Sequence, residues 1–234
     1  RGNVVHKALE EIWKTLKDSE DLNSYCNNQT QLEKLITSAI NHAFSFAKQQ
    51  NNNQSLPNNF LNLEKSNLQN LLQQWLKMER DRDFFTVIQT EKEIEMQLSN
   101  LTLRLRIDRI DQLVDGKIAI IDYKTGKDVP SLNDCLNIPP TATQLPLYSL
   151  AANILMGNRL SGYGTNSEQI AALIFAHINR ENFNTTHKPF VGICNQKVLN
   201  LLQNKNISRW LSIDMENTMA QWQASLTKIA DDFM

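Results

Sequence analysis

Apolar and polar residues follow two rhythms along this chain, and the change from one to the other divides it. In residues 2–17, Val4, Val5, Ala8, Leu9, Ile12, Trp13 and Leu16 recur at steps of three and four, which predicts an amphipathic helix. Residues 18–30 are polar and read as a loop. The helical step returns over 31–48, with Leu32, Leu35, Ile36, Ile40 and Phe44 on one side and His42 at the solvent edge. Residues 49–59, QQNNNQSLPNN, read as a linker or mobile loop. A third helical pattern covers 60–82 through Leu61, Leu63, Leu68, Leu71, Leu72, Trp75 and Leu76, and Arg80 to Asp83 reads as its solvated end.

From residue 84 the step becomes two. Glu91, Glu93 and Glu95 alternate with Lys92, Ile94 and Met96, as in a strand with one wet face. Ser99-Asn100 turns the chain. Leu103, Leu105 and Ile107 then alternate with Arg104, Arg106 and Asp108. Asp115-Gly116 suits the positive-φ positions of a two-residue hairpin, and Ile118 to Ile121 is the unbroken apolar run of a strand buried on both faces. The result is an antiparallel three-stranded meander. Its second strand steps by three from Ile107 to Ile110, which predicts a β-bulge there. Residues 128–140 read as a loop, and Thr141 to Met156 as a helix with Pro146 in its first turn. Residues 157–167 form another loop. The apolar run Ile170 to Ile178 reads as a strand, and strand–helix–strand order adds it in parallel. A short strand with loops over 180–195 and closing helices over 196–206 and 210–233 complete the chain, with Trp210 and Trp222 in a core or interface. The pattern predicts a single α/β domain: a helical part (1–83), a sheet core (84–178), and a C-terminal strand and helices (179–234).

The chemistry collects at one end of the buried strand. Along Asp122-Tyr123-Lys124, side chains alternate, so Asp122 and Lys124 share a face and Tyr123 points away. If the hairpin closes at Asp115-Gly116, Asp108 falls level with them. Two carboxylates and an ammonium then converge, which suits a metal-dependent phosphodiesterase. Carboxylate oxygens hold Mg²⁺ or Mn²⁺, and a lysine holds the attacking water or offsets phosphate charge. A surface hairpin with an ordinary Asp–Lys pair has the same local sequence. His6, beside the first helix's apolar stripe, is by itself an unremarked helical histidine.

Composition narrows the classes. Net charge is −1, with 24 Lys and Arg against 25 Asp and Glu, so a polyanion site has to be a local patch. Cys26, Cys135 and Cys194 form no CxxC, which argues against a zinc ribbon and points to a reducing, cytoplasmic setting. No apolar run is long enough to span a membrane. The chain begins at Arg1 in helical pattern, as a domain excised from a longer protein would.

Four segments in this order resemble the PD-(D/E)xK nuclease superfamily, most of all the RecB-like and AddB-type C-terminal nuclease domains of DNA-repair proteins. They are Arg1-Gly-Asn-Val-Val-His6-Lys-Ala-Leu-Glu10, Arg106-Ile-Asp-Arg-Ile-Asp111, Ile121-Asp-Tyr-Lys-Thr-Gly126 and Gln144-Leu-Pro-Leu-Tyr148. The resemblance implies a restriction-endonuclease-like core with extra N- and C-terminal helices. It implies Asp108, Asp122 and Lys124 as catalytic residues, and His6, Asp108, Asp122 and the Tyr123 carbonyl as metal ligands. Glu91, Gln144 and Tyr148 would support the site or the substrate, Glu91 matching an acid the family often places on its first strand. The implied activity is a Mg²⁺- or Mn²⁺-dependent DNA exonuclease of recombination or repair, with DNA and a helicase segment or subunit as partners. The alternatives are an inactive DNA-binding or scaffold module, and a hydrolase of small phosphate esters. Leu105 stands where these domains usually have Gly, narrowing the approach to substrate. Three cysteines at the wrong spacing predict no iron–sulfur cluster, and no GxxxxGK[ST] phosphate loop occurs.

Overall fold

The computed structural model describes residues 2–50, 57–157, 169–179, 188–202 and 207–232. Four helices come first: α1 (Gly2–Thr15), α2 (Ser19–Asn27), α3 (Gln29–Gln50) and α4 (Asn58–Arg80). The meander follows as β1 (Phe85–Leu98), β2 (Leu101–Leu113) and β3 (Ile118–Lys124). Then come α5 (Leu132–Leu136), α6 (Gln144–Gly157), β4 (Ile170–His177), β5 (Phe190–Asn195), a 3-10 turn at Gln196–Leu201, β6 (Ser208–Ile213) and α7 (Met215–Asp232). The strands form one six-stranded sheet in sequence order. Pairing is antiparallel through β1–β2–β3, parallel for β3–β4, antiparallel for β4–β5 and parallel for β5–β6.

The sheet separates two cores, because alternate residues of its central strands enter opposite faces. Ala119, Ile121 and Tyr123 of β3 join the core under α1–α4, whereas Ile118 and Ile120 join the core under α5–α7. The buried positions of α1, Val5, Ala8, Leu9, Ile12 and Trp13, make the stripe that meets the first core. α6 packs on β1–β4 and against α7, and its sequence is predominantly apolar. The fold is thus a helix–sheet–helix sandwich of the restriction-endonuclease-like kind.

Several elements differ from the sequence reading. Residues 18–30 hold α2 rather than a loop: Asp18 caps it by accepting from the Asp21 N–H at 2.8 Å, and Leu22 is buried beneath it. The predicted 128–140 loop contains the short helix α5, capped by Ser131. The hairpin loop has three residues, not two. The Gly116 N–H donates to the Leu113 carbonyl at 2.9 Å, the Leu113 N–H to the Lys117 carbonyl at 2.7 Å, and only Gly116 takes positive φ (81°). The extra residue of the predicted bulge is on β1: Val87 pairs with Asp111 and Gln89 with Ile110, which leaves Ile88 over. In β2 the step of three is a break in the alternation of faces, since Ile107 and Ile110 both join the core under α5–α7 although they are three residues apart. The predicted closing helix over 196–206 begins as a 3-10 turn, and that over 210–233 is β6 followed by α7, so Trp210 sits on a strand. Trp222 is core, as expected. Residues 51–56 of the linker, 158–167 of the loop after α6, 180–187 and 203–206 lie outside the described residues.

Candidate active site

The site forms where β2 and β3 stop pairing. Their ladder runs from Gln112↔Ile118 to Arg109↔Ile121. Beyond it, the Asp108 carboxylate takes the Tyr123 N–H at 2.7 Å, filling the place of a ladder bond. β3 continues parallel to β4 up to Lys124↔His177, so Asp122 and Lys124 stay rigidly held. Both face α6, while Tyr123 points to the opposite core, as alternation requires. Asp108 and Asp122 are 6 % and 1 % exposed, so neither belongs to a solvated surface hairpin.

α1 closes one side. His6 Nδ1 lies 3.3 Å from Asp108 Oδ1 and 3.7 Å from Glu91 Oε1. Glu91 reaches inward because its backbone adopts φ of 46°, the left-handed region, within a strand. Such strain in a non-glycine residue is characteristic of functional sites. α6 closes the other side. Gln144 sits at its start and bridges the centre: its amide nitrogen donates to Asp122 Oδ1 and, at 2.9 Å, to the Tyr148 hydroxyl, while its amide oxygen accepts from Lys124 Nζ. Lys124 Nζ lies 2.6 Å from Asp122 Oδ2. That oxygen is sealed from solvent, and no donor is aligned to it as a hydrogen bond despite the short ion-pair distance. Between the two sides is an open cleft of about 470 Å³, with Arg104, Leu105, Arg106 and Leu147 on its rim.

Electrostatics follow from this crowding. Burial pushes the Asp122 carboxyl up and the Asp108 charge adds to it; Lys124 and His6 oppose them, and the value settles at about 6. Burial pulls the His6 imidazolium down, but hydrogen bonds and charge from Asp108 and Glu91 outweigh it and raise His6 to about 10. The metal-free centre is therefore an acidic pocket with its own histidine held as a counter-cation.

These donors fit a hard divalent cation. His6, Glu91 and Asp108 each offer a ligand atom within 4.8 Å of the others, and Asp122 Oδ2 is a buried anionic oxygen without an aligned partner. The grouping alters the emphasis of the sequence reading. Glu91, a supporting residue there, stands with His6 and Asp108, while Asp122 lies outside that trio, held by Lys124 and Gln144. His42 is solvent-edge as expected, its side chain 54 % exposed. The Arg80–Asp83 run is only partly solvated: Arg82 pairs with Glu79 at 2.7 Å and Asp111 at 3.0 Å. That pair belongs to a buried network of Glu79, Arg82, Arg109 and Asp111 that no local sequence signal marked, although Arg109 and Asp111 lie in the quoted RIDRID segment.

Among the described residues no helix is long and apolar enough to cross a membrane. No curated protein matches the chain. The family model of the PD-(D/E)XK nuclease superfamily matches residues 1–230, nearly end to end, and therefore spans α1 with His6, the meander with both aspartates, and α6 with Gln144. The chain belongs to the PD-(D/E)XK nuclease superfamily.

Proposed function

We propose that this protein is a Mg²⁺- or Mn²⁺-dependent deoxyribonuclease, acting as an exonuclease in recombination or repair on DNA delivered by a helicase segment or partner. Its superfamily is one of metal-dependent nucleases in general. The observation that carries the reading is the meeting, in one cleft, of the His6/Glu91/Asp108 ligand group with the buried Asp122 carboxylate and the Lys124 ammonium paired to it.

In this reading Asp108, Asp122, His6 and the Tyr123 carbonyl hold the cation, and Glu91 adds a further oxygen. The bound cation lowers the pKa of water and offsets charge on the phosphate. Lys124, restrained by Asp122 and Gln144, keeps its ammonium toward the cleft, where it orients the attacking water and stabilises negative charge on the phosphoryl oxygens. Gln144 fixes Asp122 and Lys124 relative to one another, and Tyr148 supports Gln144 from one turn further on. Arg104 and Arg106 on the rim receive the neighbouring phosphates.

The test is cleavage of end-labelled linear single- and double-stranded DNA with EDTA, Mg²⁺ or Mn²⁺. Metal-dependent loss of label is expected, reduced about 100-fold or more in Lys124→Ala. A ladder shortening from one end identifies exonuclease action. A folded protein inert on both substrates in either metal overturns the reading.

A further inference from the structure

On the face of the sheet that Tyr123 enters, opposite Asp122 and Lys124, lies a set of charges with no access to substrate. Arg109, Glu79 and Asp111 are each fully buried. Arg109 Nε donates to Asp111 Oδ1 at 2.6 Å and Nη2 to Oδ2 at 2.8 Å, a two-pronged grip within β2. Its Nη1 donates to Glu79 of α4 at 3.0 Å and reaches the Tyr123 hydroxyl of β3 at 3.3 Å. The guanidinium also stacks 3.8 Å from the centre of the Trp13 ring of α1. Arg82 supplies a second cation to Glu79 and Asp111.

Two of these contacts lead to the proposed ligands. Tyr123 carries the N–H that aims Asp108, and its ring supports the His6 ring edge-on at 5.8 Å between centres. Trp13 lies seven residues after His6 on α1, two turns along the same face. Arg109 thus ties down both the strand residue that orients Asp108 and the helix that carries His6. A buried ion network adds little net stability compared with apolar packing of the same volume, because desolvation offsets most of the Coulomb attraction. What it supplies is direction: each partner has one geometry that satisfies it.

We propose that Arg109, acting through the Tyr123 hydroxyl and the Trp13 ring, is a positioning residue that sets the spacing of His6 and Asp108 for the metal. The inference rests on the metal-dependent reading above. Its discriminating variant is Tyr123→Phe, which removes the hydroxyl and its contact with Arg109 while keeping the ring under His6 and the N–H to Asp108. Arg109→Lys is the second variant, since it keeps the charge and loses the fork.

The measurements are thermal melting, Mn²⁺ affinity by calorimetry, and kcat and KM on linear DNA. Tyr123→Phe is expected to melt within about 3 °C of wild type yet bind Mn²⁺ about 10-fold more weakly, with kcat lowered by a similar factor and KM for DNA unchanged. Arg109→Lys is expected to show the same pattern more strongly. Wild-type Mn²⁺ affinity in a folded Tyr123→Phe overturns the inference. If the wild type binds Mn²⁺ but cleaves no DNA, the nuclease reading fails while the affinity comparison still decides the positioning role. A wild type that binds no Mn²⁺ overturns both.

Discussion

At the scale of single residues, Asp122 holds function and stability in opposition. Its carboxylate is buried beside Asp108, with the Lys124 ammonium at Oδ2, and its pKa of about 6 means that burial and the Asp108 charge disfavour the ionised form in the metal-free fold. Asp122→Asn should therefore abolish cleavage and, without metal at pH 8, stabilise the fold by on the order of 2 kcal/mol, read as a rise in melting temperature. An unchanged or lower melting temperature would contradict this account of the pocket. His6 acts in the next pH window. A folded value of about 10 against an ordinary 6.5 means the folded state holds the proton more tightly than the unfolded chain. Its contribution is full below pH 6.5 and is lost as the pH rises toward 10. Allowing for the part of the ring left in water, it amounts to on the order of 3 kcal/mol. The metal-free protein should lose stability across that range and His6→Gln should lose much less, as melts at half-unit pH steps would show. Because an imidazole ligand must be neutral, stabilisation by Mn²⁺ should grow over the same interval. The convergence of Asp108, Asp122 and Lys124 was legible in the sequence because strand alternation puts Asp122 and Lys124 on one face and the turn at Asp115-Gly116 brings Asp108 level with them. Glu91 was less so, since its direction depends on one backbone angle that propensity does not encode. Arg109 was illegible because its meaning lies in Glu79 and Trp13, 30 and 96 residues earlier in the chain.

At the scale of elements, periodicity identified what was long and amphipathic and lost what was short. α2 has nine residues, with Ser19 and Leu22 its buried positions, so its pattern is indistinguishable from a polar loop. β6 has six residues that run into α7 with only Asp214 between them, and the joint pattern imitates one helix. Its evidence was tertiary: β6 pairs in parallel with β5, bringing Trp210 opposite Gly192. A Cβ on Gly192 would lie 2.5 Å from the Trp210 ring and 2.7 Å from the Leu173 carbonyl oxygen, so glycine is what lets the indole lie against the strand. Gly192→Ala should destabilise the protein by about 1–3 kcal/mol, measured as a lower urea midpoint with unchanged m-value. The site is on β1, β2, β3, α1 and α6, away from the β5–β6 pair, so metal affinity per folded molecule should not change. An alanine tolerated without loss would mean that β6 does not dock as described.

At the scale of the whole molecule, the three-layer arrangement followed from the order of elements, because a buried strand followed by a helix and another buried strand leaves a parallel crossover as the natural connection. The mode of substrate capture follows instead from charge. With a net charge of −1, the molecule has no long-range attraction for a polyanion. Among the described residues the cleft is lined by three Lys and Arg side chains, Arg104, Arg106 and Lys124, besides the His6 imidazolium that Asp108 and Glu91 already neutralise. Two of them already have carboxylate partners on β1: Arg104 with Glu95 at 3.3 Å and Arg106 with Glu91 at 3.0 Å. Both arginines are largely exposed, so exchanging these partners for phosphates costs little. Leu105 and Leu147 face the cleft between the charges and offer apolar contact rather than a closely approached backbone. Binding of single-stranded DNA should therefore depend weakly on salt. With about three phosphates neutralised, the slope of log K against log salt should be near −2, and Arg106→Ala should reduce its magnitude by about 0.7. The Asp122→Asn variant permits the titration without cleavage, by fluorescence anisotropy on a labelled oligonucleotide between 50 and 300 mM salt. A slope steeper than about −5 would require a second basic surface outside this cleft, and the path of the strand would then have to be drawn through it.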